Sequence, residues 1–230
     1  TVAKARILNN VFYNGAVQTS SILLNLLLMP YITRILGKDA LGINSFGQAI
    51  VGYFVLLGNL GITIYGAKVI AECRDDKNRK QQKFAECVTY QFFFNVIAIL
   101  LYNSWVIFQG DYIYFLFNII ILTSMTDLSW AYTGMERFDL IAVRNLVIKF
   151  VGTLLIFLFV KQHEDLSLFI IIQQGVLLIS NVVFWLELDK LEIVPRFSSL
   201  TLSLKNIFNP AISVFIPSVF TSLYLSLNKV

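Results

Sequence analysis

Residues 7–33 read ILNNVFYNGAVQTSSILLNLLLMPYIT, a run without a single charged side chain. A helix needs roughly 20 apolar residues to cross a hydrocarbon core about 30 Å thick, so this run is long enough to span a membrane. It is not uniformly oily. Asn10, Asn14, Gln18, Ser21 and Asn25 follow one another at spacings of 4, 4, 3 and 4, which sets five amide or hydroxyl groups along one helical face. An unpartnered amide in hydrocarbon is costly. The stripe is therefore expected to turn toward neighbouring helices or a wet cavity.

The rest of the chain has the same character. Of its 230 residues 57% are apolar and 14% charged, and the mean hydropathy of +0.72 is too high for a solvated globule. Uncharged runs recur at 40–67, 87–110 and 166–186. A run at 112–135 is interrupted by Asp127, one at 145–160 carries Lys149 near its start, and one at 206–228 contains Pro210 and Pro217. These predict about seven transmembrane helices, with spans near 7–33, 41–67, 87–110, 112–135, 145–160 and 166–186 followed by a seventh from 206. The runs are twice the length of a membrane strand and do not alternate, so helices are expected rather than a barrel. The connecting loops are too short for a soluble domain, and no cleavable signal peptide is expected, since the first span is longer than a signal's apolar region.

Lys and Arg set the orientation. With the N-terminus in the cytoplasm, fourteen of the eighteen fall on inner segments; Arg34, Lys38, Lys161 and Lys229 fall outside. The basic stretch from Arg74 to Lys83 is interleaved with Asp75 and Asp76 and flanked by Glu72 and Glu86, so it reads as a solvated loop and not as a nucleic-acid site. Cys73 and Cys87 lie on or near the inner side, where free thiols are expected. His163 has no second ligand at metal spacing. Trp105, Trp130 and Trp185 fall near span ends, where indole rings favour the interface.

Polar stripes continue on later spans: Asn44, Gln48, Gly52 and Asn59 on the second, Gln91, Asn95 and Tyr102 on the third, and Asn209, Ser213, Pro217, Thr221, Tyr224 and Asn228 on the seventh. One reading is that they join helices; the other is that they line a substrate cavity, with Asn14, Gln18, Asn25, Asn44, Gln48, Asn59, Gln91 and Asn95 as candidates. Asp127 is the ionisable group deepest in an apolar run, either a proton or cation relay or the partner of Lys149 or Arg144. Arg34, just after Pro30, either snorkels to headgroups or faces the cavity mouth. Six glycines at 42, 47, 52, 58, 61 and 66 permit close contact or bending of the second span.

Three stretches resemble a known family. LGITIYGAKVIA (60–71), followed by RDDK (74–77), and DLSWAYTGMERF (127–138) look like the segments after the second and fourth helices of bacterial polysaccharide repeat-unit flippases. PYITRILGKDALG (30–42) is similar to their first outer loop. These are the O-antigen and capsule translocases of the multidrug, oligosaccharidyl-lipid and polysaccharide exporter superfamily. The resemblance implies a two-lobe transporter of twelve or more helices, with residues 1–205 as the N-terminal lobe and 206–230 opening the C-terminal one. It further implies a bacterial plasma-membrane protein that moves polyprenyl-pyrophosphate-linked repeat units to the outer leaflet by alternating access. Membrane lipids and the lipid-linked oligosaccharide are the expected partners, together with polysaccharide polymerase machinery. No cofactor, metal or nucleic acid is expected, and coupling to protons or sodium would fall to Asp127. Asn25, Gln48 and Asn59 would face the glycan, and Lys149 or Arg34 would contact phosphate.

Two rivals stand beside that reading. A drug exporter of the same superfamily would need acids and aromatics in its cavity. A membrane-embedded polymerase or ligase would need paired carboxylates or an Arg/His cluster on a substantial loop.

Overall fold

The computed structural model describes residues 2–193 and 207–217, with side chains from Ile22 onward. Among these residues there are helices and no strand. In order they are α1 (Val2–Asn59), α2 (Ile62–Glu72), α3 (Lys77–Gln109), a 3₁₀ turn at Tyr112–Phe117, α4 (Asn118–Thr126), α5 (Ser129–Gly134), α6 (Phe138–Phe159), α7 (Leu166–Leu186), a second 3₁₀ turn at Leu188–Leu191, and α8 (Ile207–Pro217). Five segments are long and apolar enough to cross a membrane: Ile22–Glu72, Lys77–Gln109, Tyr112–Gly134, Phe138–Phe159 and Leu166–Leu186. Leu26, Leu100 and Ile179 on their outer faces are 65%, 64% and 68% exposed, a surface suited to lipid and not to water. The fold is that of a polytopic α-helical membrane protein.

Within the first of these segments α1 is itself two limbs. Gly37 leaves helical geometry at φ 76°, ψ 175°, a conformation that only glycine adopts at low cost. A straight helix would hold Asn25 and Gln48 about 35 Å apart. Yet Asn25 lines a cavity with Gln173 of α7, and Gln48 hydrogen-bonds the same Gln173. The chain therefore reverses at Gly37 and sends its two limbs back alongside one another. The His163 ring, from the α6–α7 turn, sits where a Gly37 side chain would be. Tyr31 Oη donates to the Val160 carbonyl at 2.6 Å and holds the first limb against the end of α6.

Two further predicted spans are interrupted. The run at 41–67 breaks at Leu60 (φ 35°) and Gly61 (φ 80°) before resuming as α2. Gly61 is required twice over, by its positive φ and by the Ala211 carbonyl of α8, which occupies the place of a side chain. The run at 112–135 breaks at Asp127, whose ψ of 119° is extended. Of the run at 206–228, α8 ends at Pro217; positions 218–228, with Thr221, Tyr224 and Asn228, lie outside the described residues.

Two apolar clusters fill the bundle. One gathers Phe84, Tyr90, Trp130, Tyr132 and Phe184; the other gathers Ile32, Leu36, Tyr102, Phe117 and Ile170. Trp130 corrects the expectation of an interfacial indole. It is 2% exposed and donates from Nε1 to Gln91 Oε1 at 2.9 Å, because the break at Asp127 turns α5 inward. Cys73 and Cys87 are both buried and unpaired.

Candidate functional site

Among the stripes read from the sequence, the structure brings one group together. A cavity of about 190 Å³ opens between the first limb of α1, α6 and α7, and its polar lining is Asn25, Lys149, Thr153 and Gln173. The second limb of α1 reaches it through an amide chain: Gln48 Nε2 donates to Asn44 Oδ1 at 3.2 Å and to Gln173 Oε1 at 3.3 Å. Leu28, Ile148, Ile156, Val176 and Leu177 complete the wall. An apolar wall with a few convergent polar groups is the usual form of a ligand site.

The charge of this site is one-sided. Among the described residues Lys149 makes no hydrogen bond or ion pair, and no carboxylate lines the cavity. A cation held among neutral amides in an apolar bundle favours an anionic ligand, with the amides supplying donors and acceptors to neutral polar groups beside it. Arg34 lies elsewhere. It borders an open groove of about 610 Å³ along the first limb, together with Ile22, Leu26, Met29, Pro30 and Thr33. Asn25 lines both the groove and the cavity.

The third-helix candidates engage neighbouring helices. Gln91 Nε2 donates to the carbonyls of Ser124 at 2.7 Å and Asp127 at 2.9 Å. Asn95 is fully buried and donates to Gly58 O at 3.1 Å and Gln91 O at 2.8 Å. Asn59 accepts from Ser124 Oγ at 3.0 Å. The bonds to Ser124 O, Asp127 O and Gly58 O satisfy carbonyls freed where α1 and α4 end. Asn14 and Gln18 lie outside the residues whose side chains are described.

Asp127 sits at the α4–α5 break. Its Oδ1 accepts from Ser129 N at 3.1 Å and Ser129 Oγ at 2.5 Å, and Arg144 Nη1 lies 3.5 Å away. The same Nη1 donates to Asn181 Oδ1 at 3.1 Å, and the guanidinium lies 4.2 Å from the Phe184 ring centre. Of the two partners the sequence offered for Asp127, the structure pairs it with Arg144.

Gln173 and Thr153 did not figure among the sequence candidates. Gln173 had a readable signal, since Gln173-Gln174 is an amide pair in the middle of the apolar run 166–186. Thr153 had none, because a lone threonine in a membrane helix satisfies itself on its own backbone.

With this geometry in hand, comparison with known proteins places the chain. A family model described as polysaccharide biosynthesis protein matches residues 7–230, and the chain belongs to that family. It is 25% identical over 232 residues to the "Putative O-antigen transporter" of Escherichia coli (strain K12), an alignment covering 96% of this chain and 54% of that protein. The chain thus spans about half the length of this curated relative. No solved structure matches.

Proposed function

We propose that the chain is the N-terminal lobe of a flippase that carries polyprenyl-pyrophosphate-linked polysaccharide repeat units from the inner to the outer leaflet. It is a transporter and not an enzyme. The observation that carries this reading is Lys149, without an ion-pair partner among the described residues, in a cavity of neutral amides, an arrangement that suits an anion bonded to a hydroxyl-rich group. Family membership supports the polysaccharide, and the apolar bundle supports a substrate that keeps its tail in lipid. In this reading the N-terminus faces the cytoplasm of a bacterium, and the cavity opens alternately to each side of the plasma membrane. Lys149 attracts the phosphate, and Asn25 serves the glycan together with Gln173, which Gln48 and Asn44 hold in place. Arg34 guides the charged group along the groove, and Asp127 responds to protons or sodium through its pairing with Arg144.

The deciding experiment deletes the full-length gene in a strain where addition of the first sugar is conditional, and counts lipid-linked repeat units on each leaflet. Complete units trapped on the cytoplasmic leaflet are expected. Complete units reaching the outer leaflet at the normal rate would overturn the reading in favour of a polymerase or a drug exporter.

A further inference from the structure

Among the described residues, Gln173 is the polar cavity residue whose side chain is held from outside the cavity. Its Oε1 accepts from Gln48 Nε2, which also donates to Asn44 Oδ1 one helical turn away. Three amides from two helices thus form a chain, and its last member lines the cavity beside Lys149 and Thr153. A glutamine side chain has three rotatable bonds, and fixing it costs rotamer entropy that an ordinary packing residue does not need to lose. Here the second limb of α1 meets that cost in advance. With Oε1 committed to Gln48, the Gln173 amide keeps its two N–H donors for whatever enters.

We propose that Gln173 is a specificity-determining residue of this cavity, pre-oriented by Gln48 so that its amide donates to a neutral hydroxyl oxygen next to the anion attracted by Lys149. The inference rests on the transport reading above and adds the division of labour within it. Lys149 selects charge, which every sugar phosphate carries; Gln173 selects a hydroxyl at one place relative to that charge, which only some sugars carry. A site built to hydrogen-bond a hydroxyl rejects analogues that lack it, because its own buried polar group is then left unpaired. Asn44 and Gln48 are positioning residues: they act through Gln173.

The test uses the full-length protein in proteoliposomes. The substrates are matched polyprenyl-pyrophosphate saccharides whose first sugar either is native or lacks a single ring hydroxyl. Flipping is read as the rate at which units become accessible to a membrane-impermeant glycosidase. Wild type is expected to move the native unit about tenfold faster than at least one deoxy analogue, and Gln173→Leu to lose that preference by slowing the native unit alone. Gln48→Leu is expected to lose it partly, and Gln173→Asn to recover part of it. Equal slowing of every unit by Gln173→Leu, at unchanged melting temperature, would mean that Gln173 only joins α7 to α1, and an unchanged preference would equally overturn the proposal. Failure of the wild type to move any unit, with the protein folded, would overturn the transport reading itself.

Discussion

Arg74 donates from Nη2 to the carbonyl oxygen of Gly134 at 2.8 Å, and its Nη1 lies 3.2 Å from Glu136 Oε2. The two stretches at 60–77 and 127–138 are therefore a single packed unit. Their glycines show why: a side chain at Gly66 would fall 2.6 Å from Trp130 Cε3, and one at Gly134 would fall 2.6 Å from the Ala67 carbonyl. Small residues let the backbones of α2 and α5 approach, and Arg74 closes the end where both helices stop.

Arg74→Ala is expected to lower the thermal midpoint of the detergent-solubilised protein. The exposed pairing with Glu136 contributes about 0–1 kcal/mol, and the charge-assisted bond to Gly134 about 1.5–3 kcal/mol. Arg74→Lys should recover only a fraction, because an ammonium cannot reach both partners in one plane. A midpoint unchanged by Arg74→Ala would mean that the unit is held by its apolar contacts alone.

Glycine substitutions should separate cleanly by position. Gly66→Ala must displace the buried Trp130 ring and is expected to destabilise by about 1–3 kcal/mol. Gly42→Ala and Gly175→Ala meet nothing within 4 Å, and should be neutral or gain up to about 1 kcal/mol in helix propensity. Melting curves of the three variants side by side decide the matter; equal losses in all three would contradict the packing described above.

Gln91→Leu removes the partners of Trp130 Nε1, Ser124 O and Asp127 O at once. Interhelical hydrogen bonds in membranes contribute about 0.6–1.7 kcal/mol each, so a clear loss of stability is expected, with transport per folded molecule unchanged. Lys149→Gln is expected to do the reverse, preserving the melting temperature while reducing transport. Measuring both quantities on both variants separates a packing residue from a cavity residue.

Asp127→Asn keeps an oxygen for Ser129 N but removes the charge facing Arg144. If transport is coupled through this pair, the variant should fold and should lose the acceleration that an imposed proton or sodium gradient gives the wild type. A full response to both gradients in the variant would remove Asp127 from the coupling.

At the α6–α7 turn, Asp165 Oδ2 accepts from Lys161 N and Gln162 N at 2.8 Å each, and these two bonds hold its carboxyl below the usual carboxylate range. A depressed folded value contributes stability above the unfolded value of about 3.9, and that contribution fades as pH falls through the folded value. Amide protection at Lys161 and Gln162, measured against the intrinsic exchange rate at each pH, should be high at neutral pH and fall below about pH 4. Asp165→Asn should show the lower protection at both.

Much of the helix layout was legible because uncharged runs are a strong signal: the span at 166–186 and α7 share their bounds. The interruptions were legible only in part: Asp127 and the glycines of the second span marked where they fall, but not that the helix stops there. Leu60 and Asp127 sit within apolar stretches, and their carbonyls, freed at the breaks, accept from Tyr90 Oη and Gln91 Nε2 of α3, partners that no local pattern reveals. The same limit applies to the site. Asn25, Asn44 and Gln48 were visible as stripes, but so were Gln91 and Asn95, which have the same chemistry and periodicity. Only the neighbours decide between lining and packing. Lys149 stood out as a charge in an oily run; that Gln48 holds the Gln173 beside it depends on the reversal at Gly37.

That reversal places the breadth of the cavity under the control of one backbone joint. Asn25 lies twelve residues from Gly37, a lever arm of about 18 Å. A rotation of about 5° at the joint would carry its amide roughly 1.6 Å toward or away from α7 at that radius. The α6–α7 turn touches the joint through His163, far from the lining itself. Changes in that turn thus recalibrate which ligands fit while every wall residue stays the same, so relatives with identical linings need not share a ligand.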